Sequence, residues 1–292
     1  MKKKKVLTLS QKITLAIFGL LVASAILIWL AVLGRFSTDA RFVFCDVGEG
    51  DAIFLESPTH QQILVDGGPD NSVLSCLSKN MPFYDRSLDL VVLTHPDRDH
   101  LLGLVEVLRR YSVAQVLITG VKDSTSEYAE FLKIVQDKKI PQEIAQAGKN
   151  WQFGDLNLTV LWPKTAVAGQ SFDNLNNTSI VLRADYLSHS ALLTGDLEES
   201  AQEIWPADSK TQLRAEILKI SHHGSRNGLS TQFLKSISPS IVIISVGADN
   251  HFGHPAPETL AKLVNKTIYR TDQDGEIDIV IDKAGKLKVN HD

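Results

Sequence analysis

Thr94-His95-Pro96-Asp97-Arg98-Asp99-His100 is the stretch on which the reading of this chain turns. It follows the uncharged run Leu90-Val91-Val92-Leu93, the pattern of a strand buried on both faces. His95, Asp97, Asp99 and His100 are all able to ligate a metal. They cannot all be packed into a core, because an unpaired buried carboxylate is prohibitively costly. A loop at a strand end can turn them towards one point instead.

Three more clusters of metal-capable residues each follow a run that reads as a strand. Gly195-Asp196 follows Ala191-Leu192-Leu193-Thr194, and Ser221-His222-His223-Gly224 follows Ile217-Leu218-Lys219-Ile220. Asn250-His251-Phe252-Gly253-His254-Pro255 comes after a strand expected to end near Ser245. Of the nine histidines, His95, His100, His222, His223 and His254 fall in these loops, whereas His60, His189, His251 and His291 read as ordinary polar residues. Imidazole nitrogen with carboxylate oxygen is a ligand set for zinc, manganese or iron, and magnesium rarely takes histidine.

Around these loops the chain alternates short β-rich runs with single helices. Residues 41–46, 52–56 and 62–65 are spaced like an antiparallel meander, and 88–93 reads as one continuous buried strand. Helices are expected over 101–111, where Leu101, Leu104, Val105 and Leu108 share a stripe, over 127–138 and over 257–264. Strands are expected over 156–161, 178–184, 190–193, 217–220 and 241–245. Such an order predicts an α/β (α+β) sandwich of sheets with helices outside. No linker, charge block or repeat divides residues 41–292.

The first 35 residues are different in kind. Lys2, Lys3, Lys4, Lys5 and Lys12 precede an uncharged stretch from Ile13 to Gly34. As a helix it would be about 33 Å long, enough for a hydrocarbon core of about 30 Å, and it exceeds the apolar region of a signal peptide. The expected organisation is a cytoplasmic basic N-terminus (1–12), a single transmembrane anchor (13–34) and an extracytoplasmic domain (41–292), because the lysines precede the span.

The 292 residues carry 30 basic and 34 acidic side chains, two cysteines and 43% hydrophobic residues. That composition excludes a disordered chain, a disulfide scaffold and a low-complexity fibre. With the five N-terminal lysines set aside, 25 basic residues face 34 acidic ones, a net charge of about −9. Tight non-specific binding of duplex DNA through surface charge is therefore not expected. Cys45 and Cys76 are open to two readings, a disulfide or two buried thiols.

The HPDRDH loop followed by Leu102-Gly103 resembles the motif of metallo-β-lactamase-fold hydrolases, and within them the hydrolase domain of ComEC-type DNA-uptake (competence) proteins. Further matching stretches run along the soluble part: Asp46-Val47-Gly48-Glu49-Gly50-Asp51-Ala52, Leu64-Val65-Asp66-Gly67-Gly68, Asn176-Asn177-Thr178-Ser179 and Leu193-Thr194-Gly195-Asp196. They continue with Leu218-Lys219-Ile220-Ser221-His222-His223-Gly224-Ser225, Phe252-Gly253-His254-Pro255 and Arg270-Thr271-Asp272-Gln273-Asp274-Gly275. The resemblance implies a four-layer αββα sandwich, here preceded by one transmembrane helix, with two divalent metal ions (Zn²⁺ or Mn²⁺) at one edge.

Position by position, the resemblance implies that His95 and Asp97 hold one metal, Asp99 and His100 the other, that Asp196 bridges both and that His223 completes the second site. Asp66 would orient the ligand loop through hydrogen bonds. His222 and His254 would face the substrate, and Asp99 would position the attacking water. Many members of the superfamily have histidine where Asp97 stands and again where Asn176 falls, so Asn176 is a metal or substrate residue by position only. The oxygen-richer first site shifts the expected ion from zinc towards manganese. Glu49 stands where this branch usually has glutamine.

A metal-dependent phosphodiesterase or nuclease is thus expected, acting on a phosphodiester such as single-stranded DNA. One membrane span cannot form a pore, so DNA uptake would require a separate channel as partner. Two alternatives stand beside it. One is a cell-envelope phosphodiesterase resembling phosphorylcholine esterases, or another ester or lactone hydrolase; the other is a metal-poor binding or assembly domain.

Overall fold

The computed structural model describes residues 8–33, 38–205 and 211–292. The basic residues 2–5, Gly34 and Arg35 lie outside the described residues. Two compact units are present, residues 1–38 and 39–292.

In the first unit, α1 (Leu9–Leu33) begins four residues before the expected start. Thr8 and Gln11 explain the earlier start. The Thr8 amide donates to Gln11 Oε1 (3.0 Å) and the Gln11 amide to Thr8 Oγ1 (3.3 Å), a reciprocal cap on the first turn. The Thr14 and Ser24 hydroxyls donate to carbonyls one turn back, so the helix satisfies its own polar groups as a lipid environment demands. Over Leu9–Trp29 it is long and apolar enough to cross a membrane.

In the second unit the chain runs through β1 (Ala40–Phe44), β2 (Ile53–Glu56), β3 (Gln62–Val65), α2 (Ser72–Asn80), β4 (Ser87–Leu88), β5 (Leu90–Leu93), α3 (Arg98–Arg110), β6 (Ser112–Val113), β7 (Val116–Ile118), α4 (Ser126–Asp137) and β8 (Gln142–Ile144). It continues through β9 (Asn150–Phe153), β10 (Leu156–Trp162), β11 (Val181–Tyr186), β12 (His189–Leu193), α5 (Glu199–Glu203), β13 (Ile217–Lys219), α6 (Thr231–Ile237) and β14 (Ile241–Ile244). The last elements are α7 (Pro257–Lys262), β15 (Thr267–Arg270), α8 (Thr271–Asp274), β16 (Ile277–Ile281) and β17 (Leu287–His291). One sheet has the order β17-β16-β1-β2-β3-β5-β7-β8 and the other β15-β14-β13-β12-β11-β10-β9.

Alternation of side chains builds the layers. On β5, Leu90 and Val92 enter the core between the sheets, while Val91 and Leu93 enter the core beneath α2, α3 and α4. On β12, Ala191 and Leu193 face the other sheet, and Leu192 packs with α5 and α6. The result is a four-layer αββα sandwich, and strands buried on both faces explain the uninterrupted apolar runs.

The expected strand 88–93 is two strands, because the Asp89 amide and carboxylate both turn aside to Gln62. The helix expected over 101–111 starts at Arg98, so Asp99 and His100 occupy its first turn. Glycine permits that helix to sit there. A Cβ on Gly103 would lie 1.9 Å from the Gly67 carbonyl oxygen, and one on Gly67 2.5 Å from the Leu104 amide. Cys45 and Cys76 form a disulfide, Cα–Cα 5.9 Å, which resolves the two readings in favour of pairing. It joins β1's end to α2 inside the core.

Candidate metal centre

Parallel pairing gathers the four loops. β12, β13 and β14 are parallel neighbours, as are β3 and β5, so the residues after their C-terminal ends emerge at common sheet edges. The convergence is a consequence of topology rather than of spacing in the chain.

Asp66, at the end of β3 and in the left-handed region (φ 60°), is the organising residue. Its Oδ1 accepts from the Thr94 amide (2.8 Å), and Oδ2 accepts from the Thr94 hydroxyl (2.7 Å) and from His100 Nδ1 (2.8 Å). With its proton given to Asp66, Thr94 Oγ1 is left to accept from His95 Nδ1 at 3.0 Å. His223 Nδ1 donates to the Ser245 carbonyl at 2.9 Å. Each ring is therefore anchored through Nδ1 and turns Nε2 towards the group, the atom it would offer to a metal. His95 Nε2 and His100 Nε2 are buried without a hydrogen-bond partner, and so is Asp196 Oδ1.

Asp99, His100, Asp196 and His223 bring four donor atoms together. His100 Nε2 lies 3.7 Å from Asp99 Oδ2 and 3.3 Å from Asp196 Oδ2, and His223 Nε2 lies 3.2 Å and 3.4 Å from the same two oxygens. A tetrahedral ion with ligand bonds of about 2.0–2.1 Å has donor–donor edges of roughly 3.3 Å. The residues fit a divalent cation. His95 Nε2 stands 3.6 Å from Asp97 Oδ2, a second pair beside this group.

The electrostatics match. Burial, with His100 nearby, pushes His95 down to about 3, so it is a neutral imidazole. Against the opposing effect of burial, Asp196 and Asp99 hold His223 up at about 10, and Asp196, Asp66 and Asp99 hold His100 well above its usual range. The same contacts hold Asp196 and Asp99 below the carboxylate range although burial works the other way. Burial and the neighbouring Asp99 push Asp97 up to about 6.

His222 and His223 both adopt positive φ (51° and 50°), which costs on the order of 1–3 kcal/mol for each bulky residue. Hydrogen bonds such as His223 to Ser245 hold the strained turn. It sends His223 to the metal group and His222 to an adjoining cleft of about 540 Å³, which Asp97, Asp99 and His254 also line. Burial pushes His222 down, so it too is neutral at neutral pH. His254 sits on the far side with Nδ1 2.7 Å from Glu49 Oε1. Asn176 does not join the four-donor group; its amide donates to Glu198 Oε1 (3.1 Å) and lies 3.5 Å from His222 Nδ1.

Two buried charged residues beside the four-donor group escaped the sequence reading. Lys219 is fully buried, ion-paired with Asp51, 3.4 Å from the Gly195 carbonyl and 3.9 Å from Asp196 Oδ1. Asp51 Oδ1 stands 3.6 Å from His223 Nδ1. A lysine inside the apolar run Ile217-Leu218-Lys219-Ile220 was the available signal. It shares the face of Ile217, which points between the sheets.

Because Asp66 orients two of the donors, Asp66→Ala is expected to weaken metal affinity about 10–100-fold. Competition against a chromophoric chelator measures this; an unaltered dissociation constant would refute the orienting role.

A family model described as the metallo-beta-lactamase superfamily matches residues 45–248. The chain is 30% identical over 262 residues to ComE operon protein 3 of Bacillus subtilis (strain 168), covering 82% of this chain and 33% of that protein. It is 24% identical over 253 residues to competence protein ComA of Neisseria gonorrhoeae, covering 85% and 33%. The chain spans about a third of the length of these relatives. The crystal structure of the metallo-beta-lactamase fold protein YhfI from Bacillus subtilis shares the fold, with a TM-score of 0.54 at 15% identity over 86% of this chain and 100% of that one.

Proposed function

The chain belongs to the metallo-beta-lactamase superfamily of hydrolases, and from that premise we propose that it is a membrane-anchored, dinuclear metal-dependent phosphodiesterase acting on single-stranded DNA outside the cytoplasmic membrane. The observation that carries this reading is the four-donor set Asp99, His100, Asp196 and His223 with His95 and Asp97 beside it.

The clustered carboxylates of Asp97, Asp99 and Asp196 beside the imidazoles of His95, His100 and His223 support divalent cations as the bound group. The two-nitrogen, two-oxygen group suits zinc, and a first site in which Asp97 stands in place of a histidine shifts the ion there towards manganese. Bound divalent ions supply Lewis acidity and an activated water. The protein's part is positional. Asp66, Thr94 and Ser245 fix the imidazoles, the part-exposed Asp99 carboxylate reaches the cleft where it would position the attacking water, and His254, held by Glu49, is placed to protonate a leaving oxygen.

DNA as substrate rests on the names of two relatives: the Neisseria gonorrhoeae protein's refers to competence, and that of a Haemophilus influenzae protein 26% identical over 186 residues (63% of this chain, 21% of that protein) to recombination. The outward orientation rests on the lysines before α1 and on the Cys45–Cys76 disulfide, a bond favoured in oxidising compartments. A reporter enzyme fused after Asp292 is expected to be active only on the outer side; cytoplasmic activity would reverse the topology.

The decisive assay uses the full chain in detergent. Cleavage of a single-stranded oligonucleotide that a chelator abolishes and Mn²⁺ or Zn²⁺ restores is the expected result. A metal-loaded preparation that opens esters or lactones but no phosphodiester would overturn the reading.

A further inference from the structure

Phe252 is an aromatic side chain that the chemistry of the site does not use. It is 74% exposed, and it lines the same cleft as Asp99, Asp196, His222 and His223. Exposing a large apolar ring in water beside a charged centre forgoes the stabilisation its burial would bring. The ring is nevertheless held in place. Its face lies against the His254 ring, with centroids 5.6 Å apart and planes 20° from parallel.

The loop that carries it is fastened at both ends. Asn250 Nδ2 donates to the Gly247 carbonyl (2.7 Å) and to the His254 carbonyl (2.9 Å), and Asn250 Oδ1 accepts from the His254 amide (2.9 Å). Glu49 accepts from the Gly247 amide (2.8 Å) and from His254 Nδ1. Gly253, at φ 74°, supplies the left-handed turn between Phe252 and His254. One clamp therefore sets both the ring that faces the leaving oxygen and the ring beside it.

From this geometry we infer that Phe252 is a nucleobase subsite: the base on one side of the scissile phosphodiester stacks on its exposed face. The inference rests on the phosphodiesterase reading above and adds what the site recognises. A flat face offered alone suits a flat base, and stacking accepts every base because each has a π-face. A base must be unstacked to reach it, so the subsite selects single strands over duplex. A quaternary ammonium group would instead call for several aromatic faces around it, and Phe252 is the one phenyl, tyrosyl or indolyl ring lining this cleft among the described residues.

The test uses the full chain in detergent with Mn²⁺ or Zn²⁺. The substrates are a thymidine dinucleotide, which has one phosphodiester, and its two analogues lacking one base or the other. The wild type is expected to prefer the intact dinucleotide roughly tenfold in kcat/KM over one of the two analogues, the effect carried mainly by KM. In Phe252→Ala that ratio falls close to one, and in Phe252→Trp it is kept or raised, which excludes misfolding as the cause. A wild type that cleaves all three equally, or a ratio unaltered in Phe252→Ala, overturns the subsite while leaving the phosphodiesterase reading standing. A wild type that cleaves none of them or any oligonucleotide removes that underlying reading. If Phe252→Ala lowers hydrolysis of nitrophenyl phosphorylcholine while the dinucleotide ratio stays as in wild type, the ring serves a choline headgroup and the nucleobase assignment falls.

Discussion

Asp196→Ala is expected to lower turnover by about three orders of magnitude or more, the scale on which a lost metal-activated nucleophile is felt. Asp196 Oδ2 stands 3.3 Å from His100 Nε2 and 3.4 Å from His223 Nε2, so its removal takes one corner from the four-donor set. The loss should appear first as metal. Elemental analysis of the purified variant is expected to show less bound ion per chain, while circular dichroism stays that of the wild type. The fold survives because the backbone at this position is held independently, with the Asp196 amide on Ser179 Oγ at 3.1 Å and the Thr194 hydroxyl on the Lys219 carbonyl at 2.7 Å. Undiminished turnover with full metal content would remove Asp196 from the centre.

The second large effect is on stability. Lys219→Met preserves the length and bulk of a buried side chain but leaves the Asp51 carboxylate, 1% exposed, without its cation. Removing one partner of a buried ion pair costs about 3–5 kcal/mol, because the charge left behind is desolvated and has lost its nearest partner, with His223 Nδ1 3.6 Å away the next cationic group. For a unit of this size that corresponds to a fall of about 10 °C in the unfolding midpoint. The measurement is made with chelator present, so that metal binding does not contribute. The double variant Asp51→Asn with Lys219→Met removes both charges and is expected to recover most of the loss, which separates an unpaired charge from poor packing. A single variant as stable as the wild type would show that the pair has no structural weight.

Much of this protein was open to inspection in its sequence. The alternation of apolar residues marks the strands because a pleated strand sends neighbours to opposite faces, and β1, β2, β3, β5 and β10 to β14 all fall within a few residues of where it puts them. The uncharged span in α1 announces itself by length and composition alone. Short elements were missed, among them α2, β7, α5 and β15 to β17, because a few residues hold too little periodicity to separate strand from helix from turn. The ends of α1 and α3 shifted for local reasons, a Thr8–Gln11 cap in one and a glycine contact in the other.

The candidate site divides in the same way. His95, Asp97, Asp99, His100, Asp196 and His223 are legible as ligand types because histidine and aspartate crowd at strand ends, where a core would reject them. Asp51 and Lys219 were not legible in that role, since a lone charge in an apolar run says nothing about its partner. Lys219 ends β13 of one sheet and Asp51 lies in the loop entering β2 of the other, and only the packing of the two sheets decides that they pair behind Asp196 and His223. Likewise the sequence determined which residues could ligate, while the parallel order of β12, β13 and β14, facing the Asp66 and His95 edge of the other sheet, decided which donors come together. Distance along the chain carries no information about distance across a sheet; hydrogen-bonded register does, and register exists only once the chain has folded.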